Sequence, residues 1–516
     1  PPVPTDYERW HCLHWPLAMP EVMERGGFDA IVGNQPFLGG QKLTGVMGDN
    51  VREWLVDILA GGRRGSADLI AYFFLRSFDL LNGSGSLGLI ATNTIAQGAT
   101  REVGLEYMVN SGFVVTRADQ SRLWPSGTAN LEVAIVWGTK KDVASLVSAT
   151  CDGCVVSQIT SLLEPTGRIQ GNPRRLAENA ETAFQGCVVL GKGFILTSDE
   201  AQEWIEKDSR NAEVLFPYLN GRDLNSRPDC SASRWVIDFG MREQMEAESY
   251  SLPFSRVVQE VKPQRQLLKI EYRRKYWWRF AAWAPSMRNS ISSLRRTLVI
   301  AQTSSTLMPE LVEVGQVFDQ KIVVISVDCF ALLSVLSSAL HRDWVIKYGS
   351  TMRTDPVYTP TEVFETFPRP EPTLELEVIG RTLDTERREI MLRRELGLTK
   401  LYNLVNDPGL EAGTDPDVDR MRSIHVELDA AVAAAYGWED LDLTHGFHTY
   451  RKMTRWTVPP ATRVEILDRL LEENHRRAAA EAAAAAASCP PTGGSRSRRG
   501  RKPANSAQAQ EATLDI

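Results

Sequence analysis

Four consecutive residues, Asn34, Gln35, Pro36 and Phe37, follow a short apolar run (Ala30, Ile31, Val32) and a glycine, Gly33. An amide, a fixed backbone and an aromatic ring in that order suit one task, the grip of a flat base with an exocyclic amine. Such an amine is a poor nucleophile, because its lone pair is delocalised into the ring. Accepting hydrogen bonds from both of its N–H groups favours a pyramidal nitrogen with the lone pair free. The Asn34 side-chain oxygen can be one acceptor, and the Gln35 backbone carbonyl the other. Pro36 has no N–H and a fixed φ, which presets the turn, and it pushes Gln35 toward an extended conformation. Phe37 offers a stacking face, worth roughly 1–3 kcal/mol per base. An ordinary strand-to-loop corner draws on the same residue types.

The elements that would hold this corner are legible nearby. Ala30 to Val32 reads as a short, fully buried strand. Residues 67–81 read as a helix with an apolar stripe (Leu69, Tyr72, Phe73, Phe74, Leu75, Phe78), with Asp68 in its first turn, where negative charge is favourable. Gly88 to Thr92 reads as a further buried strand that ends in Asn93 and Thr94. Phe113 to Trp137 reads as an antiparallel pair, with Trp124-Pro125 at its bend and LEVAIVW as the return strand.

The stretch NQPFLGGQKLTG, followed by ADLIAYFFLRSFDLL and GSLGLIATNTIAQG, resembles the amino-group DNA methyltransferases. More narrowly, it is similar to the large bacterial adenine-N6 methylases of restriction-modification and phage-defence systems. The resemblance runs from about Phe28 to about Trp438. It implies an α/β fold: the C-terminal part of a Rossmann-like S-adenosylmethionine methyltransferase domain, then a mixed α+β target-recognition domain of TaqI type, then a helical C-terminal module. It also implies methyl transfer from S-adenosylmethionine to N6 of an adenine flipped out of double-stranded DNA, with no metal. Asn34, Gln35, Pro36 and Phe37 are then the catalytic corner, and Phe37 and Trp124 stack on the base. The family pattern is Asn-Pro-Pro-aromatic, so Gln35 departs from it; a backbone carbonyl survives that change, while the stiffness imposed on Asn34 by a following proline does not.

In such methylases the donor is held by a strand and a glycine-rich turn upstream of the corner. Residues 1–27 are irregular and show neither. The expectation is an N-terminally incomplete methylase, with its donor site largely outside this chain. A partner chain that supplies the donor site and a degenerate protein are the alternatives.

The expected domain borders are 1–27 for a leader, 28–150 for the partial catalytic domain, 180–372 for target recognition, 373–487 for the helical module and 488–516 for a disordered basic tail. Landmarks of the recognition domain include VLFPYLNGRDLNSRP, SRWVIDF, RTLVIAQTSS and QKIVVISVD, short β-branched runs between turn residues. Residues 262–279 carry seven basic side chains and one acidic one, interleaved with Tyr272, Tyr276, Trp277 and Trp278. Basic groups answer phosphates and aromatic planes pack on bases. Lys262, Arg265, Arg273, Arg274, Lys275, Arg279 and, further on, Arg353 are therefore the expected DNA contacts. An amphipathic helix with its tryptophans in the core has the same composition. Asn220, Arg222 and Asp355 lie in polar loops, where structural bonds are the commoner role.

The net charge, 58 − 65 = −7, does not advertise a nucleic-acid binder; the distribution of charge says more than the sum. Seven cysteines give no even framework, and neither Cys151-Asp-Gly-Cys154 nor His11-Cys12-Leu13-His14 has the spacing of a metal site. No run of about 18 apolar residues is present, so no membrane is expected, and the cytoplasm is the expected location. The expected partners are double-stranded DNA and other subunits of a defence system. Two other functions fit the same residues: a non-catalytic DNA-binding specificity subunit, and an N-methyltransferase acting on protein or RNA.

Overall fold

The computed structural model describes residues 13–123, 132–140, 149–156, 158–169, 171–352, 355–450 and 453–488. The chain divides into two compact units. The first comprises residues 1–171 with 348–356 and 449–453, and the second comprises the remainder.

The first unit is built on a six-stranded sheet: β1 (Phe28–Asn34), β2 (Leu81–Thr92), β3 (Phe113–Leu123), β4 (Glu132–Lys140), β5 (Ala149–Cys151) and β6 (Cys154–Val156). Its spatial order is β1-β2-β4-β3-β5-β6. β1 and β2 run parallel with Gly33 opposite Leu89 and Asn34 opposite Ile90. β4 is antiparallel to both β2 and β3, as the pattern around LEVAIVW predicts. Helix α1 (Leu69–Leu80) buries Ile70, Ala71, Phe74 and Leu75 in a core shared with Leu87, Leu89 and Ala91 of β2 and Val136 of β4. Burying each such side chain is worth about 1.5–3 kcal/mol, so α1 is held to the sheet by packing more than by propensity. Cys151 and Cys154 pair across a two-residue turn with positive φ at Asp152 and Gly153, which makes them a hairpin corner.

One expectation fails here. β1 is not a buried strand but the edge of the sheet. Ala30, Val32 and Asn34 are exposed, Val32 by 85%, and Phe28, Ile31 and Gly33 are only partly covered. The apolar run reads as core because apolarity is all a sequence window reports. With hydrogen bonds to β2 alone among the described strands, β1 leaves its other edge open.

The second unit holds two four-stranded sheets. Its strands are β7 (Ala183–Gln185), β8 (Ile195–Leu196), β9 (Leu215–Leu219), β10 (Arg234–Ile237), β11 (Arg296–Ala301), β12 (Glu310–Glu313), β13 (Val317–Phe318) and β14 (Ile322–Ile325). The orders are β13-β9-β10-β8 and β12-β11-β14-β7. Short helices interrupt them, among them α2 (Lys262–Gln266) and α3 (Glu271–Lys275). Longer helices follow: α4 (Ala339–Tyr348), α5 (Leu374–Arg394), α6 (Pro416–Ala435) and α7 (Pro460–Ser488). The helical module expected over 373–487 breaks after α5, where Glu395 turns the chain at φ 53° and Leu398–Val405 starts a fresh helix. α6 is tied to α4 by the Asp429 carboxylate, which accepts from the Ala339 N–H at 2.8 Å. The basic tail lies outside the described residues.

Candidate active site

The Asn34 corner stands at the C-terminal end of β1. Because β2 is parallel, its own C-terminal end, Thr92, followed by the 3-10 turn Asn93–Ala96, opens on the same side. The carboxyl ends of parallel strands are where this class of sheet places ligands. Asn34 is exposed, and its side-chain amide makes no hydrogen bond with any described residue. An accepting oxygen is thus available at the strand end. Gln35 and Phe37 are half-buried and Pro36 is exposed.

The Gln35 side chain folds back over Gly33. A Cβ on Gly33 would meet Gln35 Nε2 at 2.6 Å and Leu89 Cδ2 at 3.6 Å. The glycine leaves room for that amide.

The exit from the corner is fixed by a buried carboxylate that chain periodicity read only as a favourable charge. Asp68 is the N-cap of α1: its side chain accepts from the Ile70 N–H at 3.1 Å. The Leu38 N–H lies on the same carboxylate's side and favours its charge, and Leu38's carbonyl accepts from the Leu69 N–H at 2.9 Å. Burial pushes the Asp68 carboxyl above its ordinary range, and the two N–H donors hold it back. Asp68's own N–H goes to Thr100 Oγ1 at 3.0 Å. Gly40 lies so close to the Ser66–Ala67 backbone that a Cβ there would meet carbonyl oxygens at 2.5 Å. Leu38 and Gly40 are positioning residues that sequence inspection missed, and Asp68 is one that it placed at the helix start without its link to the corner. The available signal was an Asp directly before an apolar helical run.

Trp124 and Arg353 lie outside the described residues. The strand that precedes Trp124 ends at Leu123, paired with Glu132, and Arg122 pairs with Val133, which in turn pairs with Thr92. Leu123 and Glu132 thus stand at the same end of the sheet as the close of β2.

The expected DNA contacts of 262–279 divide in two. Arg265 is buried, and its guanidinium donates to the carbonyls of Leu190 (3.0 Å), Val189 (2.9 Å) and Arg279 (3.3 Å). Arg279 is buried too, donating to the Arg242 carbonyl at 2.9 Å and to Glu243 at 2.9 Å. Both guanidiniums are tied into the fold, which corrects their expected role. Trp277 and Trp278 are likewise core residues, and the Lys262 ammonium sits 4.8 Å from the Trp277 ring. Arg274 and Lys275 are exposed and Arg273 is half-buried. Asn220 caps a helix, accepting from the Arg222 and Asp223 N–H groups, so its role is structural.

Among the described residues no three His, Cys, Asp or Glu side chains gather as a metal site, and no helix is long and apolar enough to cross a membrane.

Comparison with known proteins matches both parts of the chain. Residues 6–112, which hold the Asn34 corner, match the family described as Eco57I restriction-modification methylase. Residues 169–371, which hold the basic stretch, match the family described as MmeI, target recognition domain. The resemblance read in the sequence is therefore met: methylase sequence is followed by target-recognition sequence. No curated protein matches the chain. Among solved structures, the type IIL restriction-modification enzyme MmeI in complex with DNA aligns with 90% of this chain at 17% identity and a TM-score of 0.68. That likeness is one of fold, and the chain spans 59% of the MmeI chain. The type IIG restriction endonuclease BpuSI aligns with 79% of this chain and 54% of its own, at 11% identity and a TM-score of 0.26. A nuclease-deletion mutant of the type ISP enzyme LlaGI, in complex with a DNA substrate mimic, aligns with 92% of this chain and 55% of its own, at 10% identity and 0.36. Those two scores are too low to speak for a shared fold.

Proposed function

We propose that this chain supplies the acceptor half and the recognition half of a restriction-modification DNA methyltransferase that acts on N6 of adenine. The observation that carries the proposal is the Asn34 corner: a free amide oxygen at the end of a parallel strand, clamped from behind by Asp68 and Leu38, in a segment that matches a methylase family. The match of residues 169–371 to a target-recognition family, and the fold likeness to MmeI, which was solved in complex with DNA, support duplex DNA as the substrate.

The acceptor chemistry follows from the donors and acceptors present. The Asn34 oxygen and the Gln35 carbonyl take the two N–H groups of the amine, and Phe37 stacks on the ring. The base reaches them only after extrusion, at a few kcal/mol. S-adenosylmethionine is the methyl source that a methylase family implies. The described residues upstream of β1 form the short helices Trp15–Ala18 and Pro20–Glu24, not a strand with a glycine-rich turn. They do not fit that cofactor, and none of the steps above runs through it. The match of residues 169–371 to a target-recognition family also supports a second reading, a specificity subunit that holds DNA without transferring a methyl group.

Selection from a random duplex pool by the full-length chain tests the proposal. Enrichment of one sequence with an obligatory adenine is the expected result. Absence of any enrichment would overturn DNA recognition, and enrichment indifferent to adenine would favour the specificity-subunit reading. Cytoplasmic location, and association with other defence subunits, belong to the same proposal.

A further inference from the structure

Helices α2 and α3 are joined by a four-residue turn and form a projection anchored at its base. The anchor is Arg265, whose three carbonyl partners lie on the Val189-Leu190 segment and on Arg279. Beneath α3, Tyr276 packs on Trp278, with ring centroids 5.7 Å apart. The turn is itself bonded: the Leu267 N–H reaches the Gln264 carbonyl, the Leu268 N–H reaches that of Arg265, and the Arg274 N–H reaches that of Ile270.

What this rigid base presents is an apolar tip. Leu267 is 87% exposed, the most exposed large apolar side chain among the described residues. Ile270 and Tyr272 beside it are 44% and 43% exposed. A leucine left in water forgoes most of the roughly 1.5–3 kcal/mol that burial would supply, so the fold gains little from it. Lys269 in the same turn and Arg274 and Lys275 in α3 are exposed, the Lys275 ammonium 5.3 Å from the Tyr276 ring, and none is in an ion pair with a described carboxylate. Cations without carboxylate partners in the same short segment as one exposed apolar side chain match a polyanion whose interior is a stack of apolar faces.

We propose that Leu267 is a wedge that enters a base step of duplex DNA, with Lys269, Arg274 and Lys275 on the flanking phosphates. This rests on DNA being the substrate. Apolar side chains inserted in this way unstack a step and bend the duplex. The Arg265 anchor lets the turn resist the push of bases that would restack. Leu267 would thus be a positioning residue, which fixes where the duplex bends relative to the recognition domain.

The test measures the affinity of the full-length chain for a plain duplex and for the same duplex with an unpaired bulge, which is already unstacked. Wild type is expected to prefer the bulged duplex. Leu267→Ala is expected to weaken binding to the plain duplex about ten-fold and to abolish the preference, with the salt dependence unchanged. Its thermal unfolding should match wild type, because Leu267 is exposed. Arg274→Ala with Lys275→Ala is expected to lower the salt slope by about one for each phosphate left without its cation, and to keep the preference. If Leu267→Ala binds both duplexes as wild type does, the wedge is overturned while DNA binding stands. If wild type binds neither duplex, the DNA reading itself fails.

Discussion

The side-chain amide of Gln35 lies against Gly33, where a Cβ would come within 2.6 Å of its nitrogen. The two residues set the shape of the corner jointly. Gln35 stands where the family pattern has a proline, and its amide fills the space that the glycine leaves. That nitrogen is the far end of a flexible side chain, so Gly33→Ala should displace the amide with little loss of stability, within about 1 kcal/mol. Uptake of the target base should fall more than stability does. Gln35→Pro removes the amide and stiffens Asn34, and should keep or raise base uptake. Thermal unfolding, measured beside binding of a selected duplex, checks both variants; a collapse with Gln35→Pro would assign Gln35 a function of its own.

Asp68 holds the corner from behind through the Ile70 and Leu38 N–H groups. Asp68→Ala removes a cap worth about 0.5–2 kcal/mol and frees Leu38. Hydrogen exchange should quicken at the Leu38 and Ile70 amides first. Asp68→Asn keeps a capping oxygen and should restore most of the protection. Equal protection in wild type and Asp68→Ala would remove Asp68 from the positioning of the corner.

Arg265 and Arg274 are nine residues apart in one basic stretch but have opposite surroundings, three carbonyls against open solvent. Arg265→Lys loses the planar fork that reaches several carbonyls at once, and should destabilise the protein by about 2–4 kcal/mol. Arg274→Ala should stay within about 0.5 kcal/mol of wild type. Urea titrations separate them; equal stability of Arg265→Lys and wild type would contradict the buried role.

Two buried histidines make the second unit sensitive to acid. Burial pushes His341 down to about 4, against the bond from its ring to the Leu336 carbonyl. Burial likewise pushes His425 down to about 4, partly offset by Asp429 and reinforced by Arg387, Arg342 and His445. Both are neutral in the folded state, so the unfolded chain binds more protons between their ordinary value of 6.5 and about 4. Stability should therefore fall as pH drops through that window, by up to about 1.4 kcal/mol per pH unit for each group. His445 has the opposite sign. Burial disfavours its charge, but the Asp429 carboxylate at 2.9 Å raises it overall. Its contribution is full below 6.5 and is lost as pH rises through its raised value. Urea midpoints between pH 4.5 and 6.5 should decline less for His341→Asn with His425→Asn than for wild type; parallel declines would contradict the assignment.

The corner, helix α1 and the β3–β4 pair were legible in the sequence, because apolar periodicity and turn residues act locally. The exposure of β1 was not, since an apolar run is the same whether or not a strand lies on its far side. The roles of Arg265 and Arg279 were not legible either. A charge pattern reports how many guanidiniums a segment carries and not which backbone carbonyls it folds against. Asp68 was legible as a helix start, but the bond from the Leu69 N–H to the Leu38 carbonyl joins a loop far upstream to the helix N-terminus, and that closure exists only in three dimensions.

The grip of Asn34 on an exocyclic amine is most directly tested by a double-mutant cycle across the protein and the base. Affinities are measured for wild type and Asn34→Ala, each with the selected duplex carrying either adenine or purine, which lacks the amine, at the target position. A direct hydrogen bond predicts a coupling of about 0.5–1.5 kcal/mol between the two changes, with Asn34→Ala still folded and still bound to DNA. Additive effects, with no coupling, would contradict the assignment of Asn34 to the amine.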